Sequence, residues 1–122
     1  MTRILVIESE VRARHALRTI LESAGYDVDT AAGHAEAGRI HDDAPADLVI
    51  TDAIDAQARL SFGGARVLAV PGGCTGREHD VAERVRAIGV QNFLPKPFRR
   101  DALLAAVKVT LNMAPPHESH QI

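Results

Sequence analysis

Short, wholly apolar runs alternate along this chain with longer stretches whose apolar residues recur at helical spacing. Ile4-Leu5-Val6-Ile7 and Leu48-Val49-Ile50 are the clearest runs. An unbroken apolar run of this length suits a strand buried on both faces, and repeated βα units bury a parallel sheet in that way. The pattern predicts strands at about Arg3 to Ile7, Tyr26 to Ala31, Asp47 to Thr51, Arg66 to Val70 and Val90 to Leu94. Tyr26 to Ala31 alternates as a strand at a sheet edge would.

Between the strands, a first helix is expected from Ser9 as N-cap, with Val11, Leu17, Ile20, Leu21 and Ala24 on one face and Gly25 as its stop. His34 to Asp43 reads as a helix with Ile40 as its single large apolar residue, so loose packing is expected. Thr75-Gly76-Arg77-Glu78 has the form of a capping box for a helix through Ile88, with Val81, Val85 and Ile88 at helical spacing and Gly89 closing it. The last helix, about Arg100 to Leu111, would bury Leu103, Leu104, Val107 and Leu111. One domain over residues 1–113 is expected, followed by a disordered tail, 114–122.

The connection between the third and fourth strands is abnormal. Only Asp55 to Ala65 is available, where a crossover with its helix takes at least about 10–12 residues, and Gly63 and Gly64 consume part of that. A third helix is therefore expected to be shortened or missing. Sheet surface would then lie open unless a partner or a second copy of the chain covered it, which makes a homodimer an expectation.

Composition narrows the picture further. The chain has 122 residues, enough for one core without disulfides, and aromatics make up only 3% of it, so that core must be built from Val, Leu, Ile and Ala. A formal charge of -2 gives no electrostatic reason to expect nucleic acid as a partner. One cysteine excludes an intramolecular disulfide, and the segment after Arg3 is too short for a membrane span, so a soluble, cytoplasmic protein is expected.

The candidate chemistry stands at the strand ends. Glu8 closes the first apolar run, Asp52 closes the third strand, and Lys96 follows the fifth. In a parallel sheet with the first and third strands adjacent, both acids emerge at the carboxyl edge, where open α/β folds hold ligands. On the residues alone, Asp52 also reads as a strand-terminal acid capping the next turn, Glu8 as a structural partner of Lys96 or Arg12, and Lys96 as a solvated loop lysine. Pro71-Gly72-Gly73-Cys74-Thr75-Gly76 lacks the spacing and terminal Lys-Ser/Thr of a phosphate-binding P-loop, and no G-x-G-x-x-G turn follows the first strand. Cys74 reads as a loop cysteine, and His117 and His120 as solvated tail residues.

Three segments, ILVIESE, DLVITD and GVQNFLPKPF, together with GYDV and the final-helix pattern, resemble the response-regulator receiver (CheY-like) family over roughly Thr2 to Leu111. The resemblance implies a flavodoxin-like, doubly wound, five-stranded parallel sheet in the order 2-1-3-4-5. It implies that Asp52 accepts a phosphoryl group from a sensor histidine kinase, a phosphotransfer protein or a small phosphodonor. Lys96 would pair with the carboxylate and then with the phosphoryl group. Glu8, Asp52 and the Ile54 carbonyl would hold Mg²⁺, which takes one or two carboxylates and keeps several waters. Pro97 matches a proline that is commonly cis, a bond that would aim Lys96 inward, and Phe93 matches an aromatic whose rotamer reports activation.

The chain departs from the family's pattern at three places. Ser9 stands where a second metal-binding acid is usual, leaving Glu8, Asp52 and Lys96 with a summed charge of about -1, which should weaken Mg²⁺ binding. Pro71 replaces the Ser or Thr whose hydroxyl binds the phosphoryl oxygen. Such a bond is worth ~1.5–3 kcal/mol, against about 5.5 kcal/mol to move a two-state switch from 1:99 to 99:1. The third departure is the short crossover, with Asp55 and Ala56 where Met-Pro is common. The reading is a signalling domain and not a turnover enzyme, with at most slow autodephosphorylation. No output domain is expected after the last helix, so the signal would leave by protein binding through a surface that includes Arg84, Phe93 and Arg100. The alternative is a pseudo-receiver, never phosphorylated, that serves as a constitutive binding or dimerisation module.

Overall fold

The computed structural model describes residues 1–52, 62–72, 77–87, 90 and 92–113. Along the chain run β1 (Arg3–Ile7), α1 (Val11–Ser23), β2 (Asp27–Ala31), α2 (His34–Asp43), β3 (Leu48–Thr51), β4 (Arg66–Ala69), α3 (Glu78–Ala87), β5 (Asn92–Phe93) and α4 (Arg100–Leu111). The strands form one sheet ordered β2-β1-β3-β4-β5, with every pairing parallel. This is the expected doubly wound architecture. The crossover in which a shortened or missing third helix is expected lies largely outside the described residues, as do the tail from Ala114, Thr75 of the proposed capping box, Ile88 and Gly89.

Strand alternation divides the core between the two faces of the sheet. Ile4, Val6, Leu48, Ile50, Leu68 and Val70 face Leu17 and Leu21 of α1 and Leu103 and Val107 of α4. Leu5, Ile7, Val49, Val67 and Ala69 face Ala37 of α2 and Val81 and Val85 of α3. Val49, Val67 and Ala69 are fully buried. These residues of the sheet face are therefore covered within one chain.

Much of that cover is Phe62, among the largest fully buried side chains. Its ring meets His41 edge-on, with centroids 5.4 Å apart, and His34 at 6.2 Å. His41 is fixed in turn, since its Nδ1 accepts a hydrogen bond from the Ala46 amide at 3.0 Å. Thus α2 is seated by Ala37, half-buried Ile40 and two histidine rings, not by Ile40 alone.

Several boundaries differ from the sequence pattern. Val11 is 61% exposed because it lies off the stripe formed by Leu17, Ile20 and Leu21, and Ala24 is the exposed C-cap of α1. Gly25, at φ +95°, carries the chain out of the helix in a conformation that L side chains rarely adopt. Leu104 and Leu111 are only half-buried, while Thr110 is buried, with its hydroxyl bonded to the Ala106 carbonyl and to Asn92. The β5 ladder is confined to two residues, although Leu94 N still donates to Ala69 O at 2.8 Å.

Candidate functional site

The register brings the two acids together. Ile7 pairs with Thr51 at the carboxyl ends of β1 and β3, so Glu8 and Asp52 are the next residues of two adjacent parallel strands. The backbone carries the pairing past the ladder, with Asp52 N donating to Ile7 O at 3.1 Å and Glu8 N to Ala31 O at 3.0 Å. Positions 4, 6, 48 and 50 point toward α1 and α4, and positions 8 and 52 continue that alternation. Lys96 enters from beyond β5, its amide donating to Pro71 O at 2.9 Å.

Glu8 is 1% exposed, and a buried carboxylate requires partners. Its Oε1 is ion-paired and hydrogen-bonded to Lys96 Nζ, and its Oε2 accepts the Glu10 amide at 3.2 Å. Arg14 Nη1 also donates to the Glu8 carbonyl at 2.9 Å. Asp52 is partly exposed, and its Oδ2 accepts both the amide of Ser9, at 3.2 Å, and its hydroxyl, at 2.9 Å. Burial pushes the Asp52 carboxyl up, but the Ser9 amide and hydroxyl, side-chain hydrogen bonding with Glu8 and the Lys96 charge together outweigh it. The net effect holds the group below its ordinary value. Asp52 is thus an ionised, accessible carboxylate beside a second acid and a cation.

Asp52, Glu8 and Lys96 therefore converge as the strand ends suggest. Lys96 bonds Glu8 and not Asp52, so the structural pairing considered for Glu8 exists, while Lys96 reaches Asp52 through its charge. Ser9 is not the N-cap of α1. Glu10 is, accepting the Arg12 amide at 2.8 Å and the Ala13 amide at 3.1 Å, because the Ser9 hydroxyl is drawn to Asp52.

The Lys96-Pro97 bond is cis. Pro71 is buried beside the site, and half-buried Phe93 lines a 210 Å³ cavity with Ala82, Val85, Arg86, Val90 and Asn92. Arg84 and Arg100 are exposed, with Arg100 Nη2 donating to Ser23 Oγ at 2.9 Å. Ile54, Asp55, Ala56, Cys74, His117 and His120 lie outside the described residues.

The contribution of Ser9 escaped sequence reasoning, which treated it only as a missing acid. The signal that finds it is register. Once Ile7 is set against Thr51, the residue after Glu8 is within side-chain reach of Asp52. Among the described residues, no three His, Cys, Asp or Glu side chains form a group that could hold a metal, and no helix is long and apolar enough to cross a membrane.

No protein-family model matches the chain. Its sequence is 34% identical over 116 residues to the transcriptional regulatory protein KdpE of Mycobacterium tuberculosis, covering 91% of this chain and 51% of that protein. It is 31% identical over 128 residues to the response regulator MprA of Mycobacterium bovis, covering 96% and 54%. The chain spans about half the length of these curated relatives. A response regulator receiver protein from Burkholderia phymatum superposes with a TM-score of 0.77 at 25% identity, over 95% of this chain and 99% of that one. A CheY-like receiver domain protein from Methanospirillum hungatei, at 20% identity, shares the fold with a TM-score of 0.78 over 92% and 94%.

Proposed function

The chain belongs to the response-regulator receiver family, and on that premise we propose that it accepts a phosphoryl group on Asp52 from a sensor histidine kinase, a phosphotransfer protein or a small phosphodonor. The observation that carries this reading is an ionised, accessible Asp52 at the carboxyl edge of β3, next to Glu8 and within the field of Lys96. A carboxylate oxygen attacks phosphorus, the bond to the donor's nitrogen or oxygen breaks, and the leaving group departs with that electron pair. The product is an acyl phosphate. Little covalent work falls to the protein, so positioning and charge neutralisation carry the catalysis.

Lys96 is placed to contribute that charge by turning from Glu8 toward the incoming phosphoryl oxygens. The acid pair is also compatible with Mg²⁺, which needs only one or two carboxylates and keeps its waters. Asp52 would hold the ion, and Glu8 would share it through lone pairs that its bonds to Lys96 and Glu10 leave available. When bound, the ion neutralises charge on the phosphoryl oxygens. The Ile54 carbonyl would be a further ligand. Output then passes by protein binding, at a surface that includes Arg84, Phe93 and Arg100.

A second reading is a pseudo-receiver that binds a partner constitutively. Two observations favour it: Pro71 stands where a hydroxyl would grip the phosphoryl group, and Lys96 is engaged by Glu8. Intact-protein mass after incubation with Mg²⁺ and acetyl phosphate, run beside Asp52→Asn, separates the two. One phosphoryl adduct in the wild type and none in Asp52→Asn supports the receiver. No adduct on the folded wild type, with a cognate kinase as well as acetyl phosphate, leaves the pseudo-receiver.

A further inference from the structure

Ser9 sits in the first turn after β1 and places two donors on one atom of its neighbour, its amide at 3.2 Å and its hydroxyl at 2.9 Å from Asp52 Oδ2. We propose that Ser9 is the positioning residue for Asp52, fixing the plane of the carboxylate so that Oδ1 is the oxygen that attacks phosphorus. The inference rests on the receiver reading above and adds to it a role for a residue that otherwise counts only as a lost acid.

A carboxylate rotates about its last bond, and in-line attack tolerates little misorientation. Two donors on the same oxygen restrict that freedom, because turning away from this plane breaks both bonds and a half-turn merely exchanges two equivalent oxygens; the oxygen that Ser9 does not bond is here Oδ1. The amide is held by the chain and cannot follow the carboxylate. The hydroxyl is available because Glu10, one residue later, caps α1 in place of Ser9. Donation to Oδ2 also leaves more of the carboxylate's remaining basicity on the other oxygen, Oδ1.

Ser9 is exposed, so an added methyl group has room, and the hydroxyl can be tested apart from side-chain bulk. Ser9→Thr keeps the donor, whereas Ser9→Val has nearly the same shape without it. The rate of adduct formation from acetyl phosphate is expected to stay within about threefold of wild type in Ser9→Thr and to fall about tenfold in Ser9→Val and Ser9→Ala, as loss of a charge-assisted hydrogen bond predicts. The fall should appear in the maximal rate and not in the donor concentration at half-saturation. In parallel, ¹³C relaxation of the Asp52 side chain should show a single ordered rotamer in wild type and Ser9→Thr and added motion in Ser9→Val.

Equal rates and equal order in Ser9→Thr and Ser9→Val, with an Asp52-dependent adduct in the wild type, overturn the role of Ser9 and leave the receiver reading standing. Absence of any adduct in the folded wild type, with a cognate kinase as well as acetyl phosphate, overturns the receiver reading first, and with it the assignment of Oδ1 as nucleophile. The relaxation comparison still decides whether Ser9 orders Asp52.

Discussion

Replacing Lys96 by Met should destabilise the fold well beyond the loss expected for a surface lysine. Glu8 keeps 2% of its side chain exposed and Lys96 keeps 27%, so the acid is committed to the interior and the amine is not. Without the ammonium, Glu8 loses its ion pair and keeps only the Glu10 amide and the neighbouring Asp52 side chain, a second acid, as polar partners. Breaking a fully buried pair from one side costs about 3–5 kcal/mol. Water can reach the place that Lys96 vacates, so about 2–3 kcal/mol is expected here, against a total of about 5–15 kcal/mol for a domain. Glu8→Gln removes the buried charge as well, so the double variant Glu8→Gln/Lys96→Met should recover about 1–2 kcal/mol relative to Lys96→Met alone. The measurement is urea unfolding followed by far-UV circular dichroism, since the chain has no Trp and one Tyr. A cost below about 0.5 kcal/mol for Lys96→Met, or single-variant effects that add within about 0.5 kcal/mol, would refute the claim that Glu8 depends on this partner.

Because Asp52 titrates below its ordinary value when folded, its contribution to stability is present above the unfolded pKa and is lost as pH falls through the folded one. Asp52→Asn should therefore flatten the loss of stability on acidification below about pH 4; an unchanged acid limb in melting temperature against pH would contradict this. Phe62→Ala should cost about 3–5 kcal/mol in the same urea assay, as removal of a fully buried aromatic does, and a cost under 1 kcal/mol would mean that α2 does not depend on it. Ser9→Asp should tighten Mg²⁺ binding measured by calorimetry, and an unchanged affinity would place the ion away from Glu8 and Asp52.

The sheet could be read from the chain because its strands are nearly pure in composition. Ile4 to Ile7 and Leu48 to Ile50 have no polar position to offer water, which leaves burial on both faces as their only arrangement. The convergence of Glu8 and Asp52 follows from that arrangement alone. Helix starts were harder, because Ser9 and Glu10 are both competent caps and the choice was made by a tertiary competitor, Asp52, forty-three residues away. Val11 misled for a different reason: its angular position relative to Leu17 and Leu21 puts it off the buried stripe wherever the helix begins. Phe62 carried no periodic signal at all, as a lone aromatic in a connection beside two glycines. Its partners are rings on α2, and only the folded chain brings them into contact.

The far edge of the sheet bears on how the protein can be handled. Arg66, the first residue of β4, donates from Nε to the Met113 carbonyl at 2.7 Å. Residues forty-seven positions apart are thereby fastened at the amino edge, while Asp52 stands at the carboxyl edge of the neighbouring strand. A dye, a surface tether or a fusion joined after Met113 departs from the opposite rim and leaves the approach to Asp52 open. The same staple gives such a probe a firm anchor, so its orientation would report tumbling of the whole domain and not the wobble of its last helix.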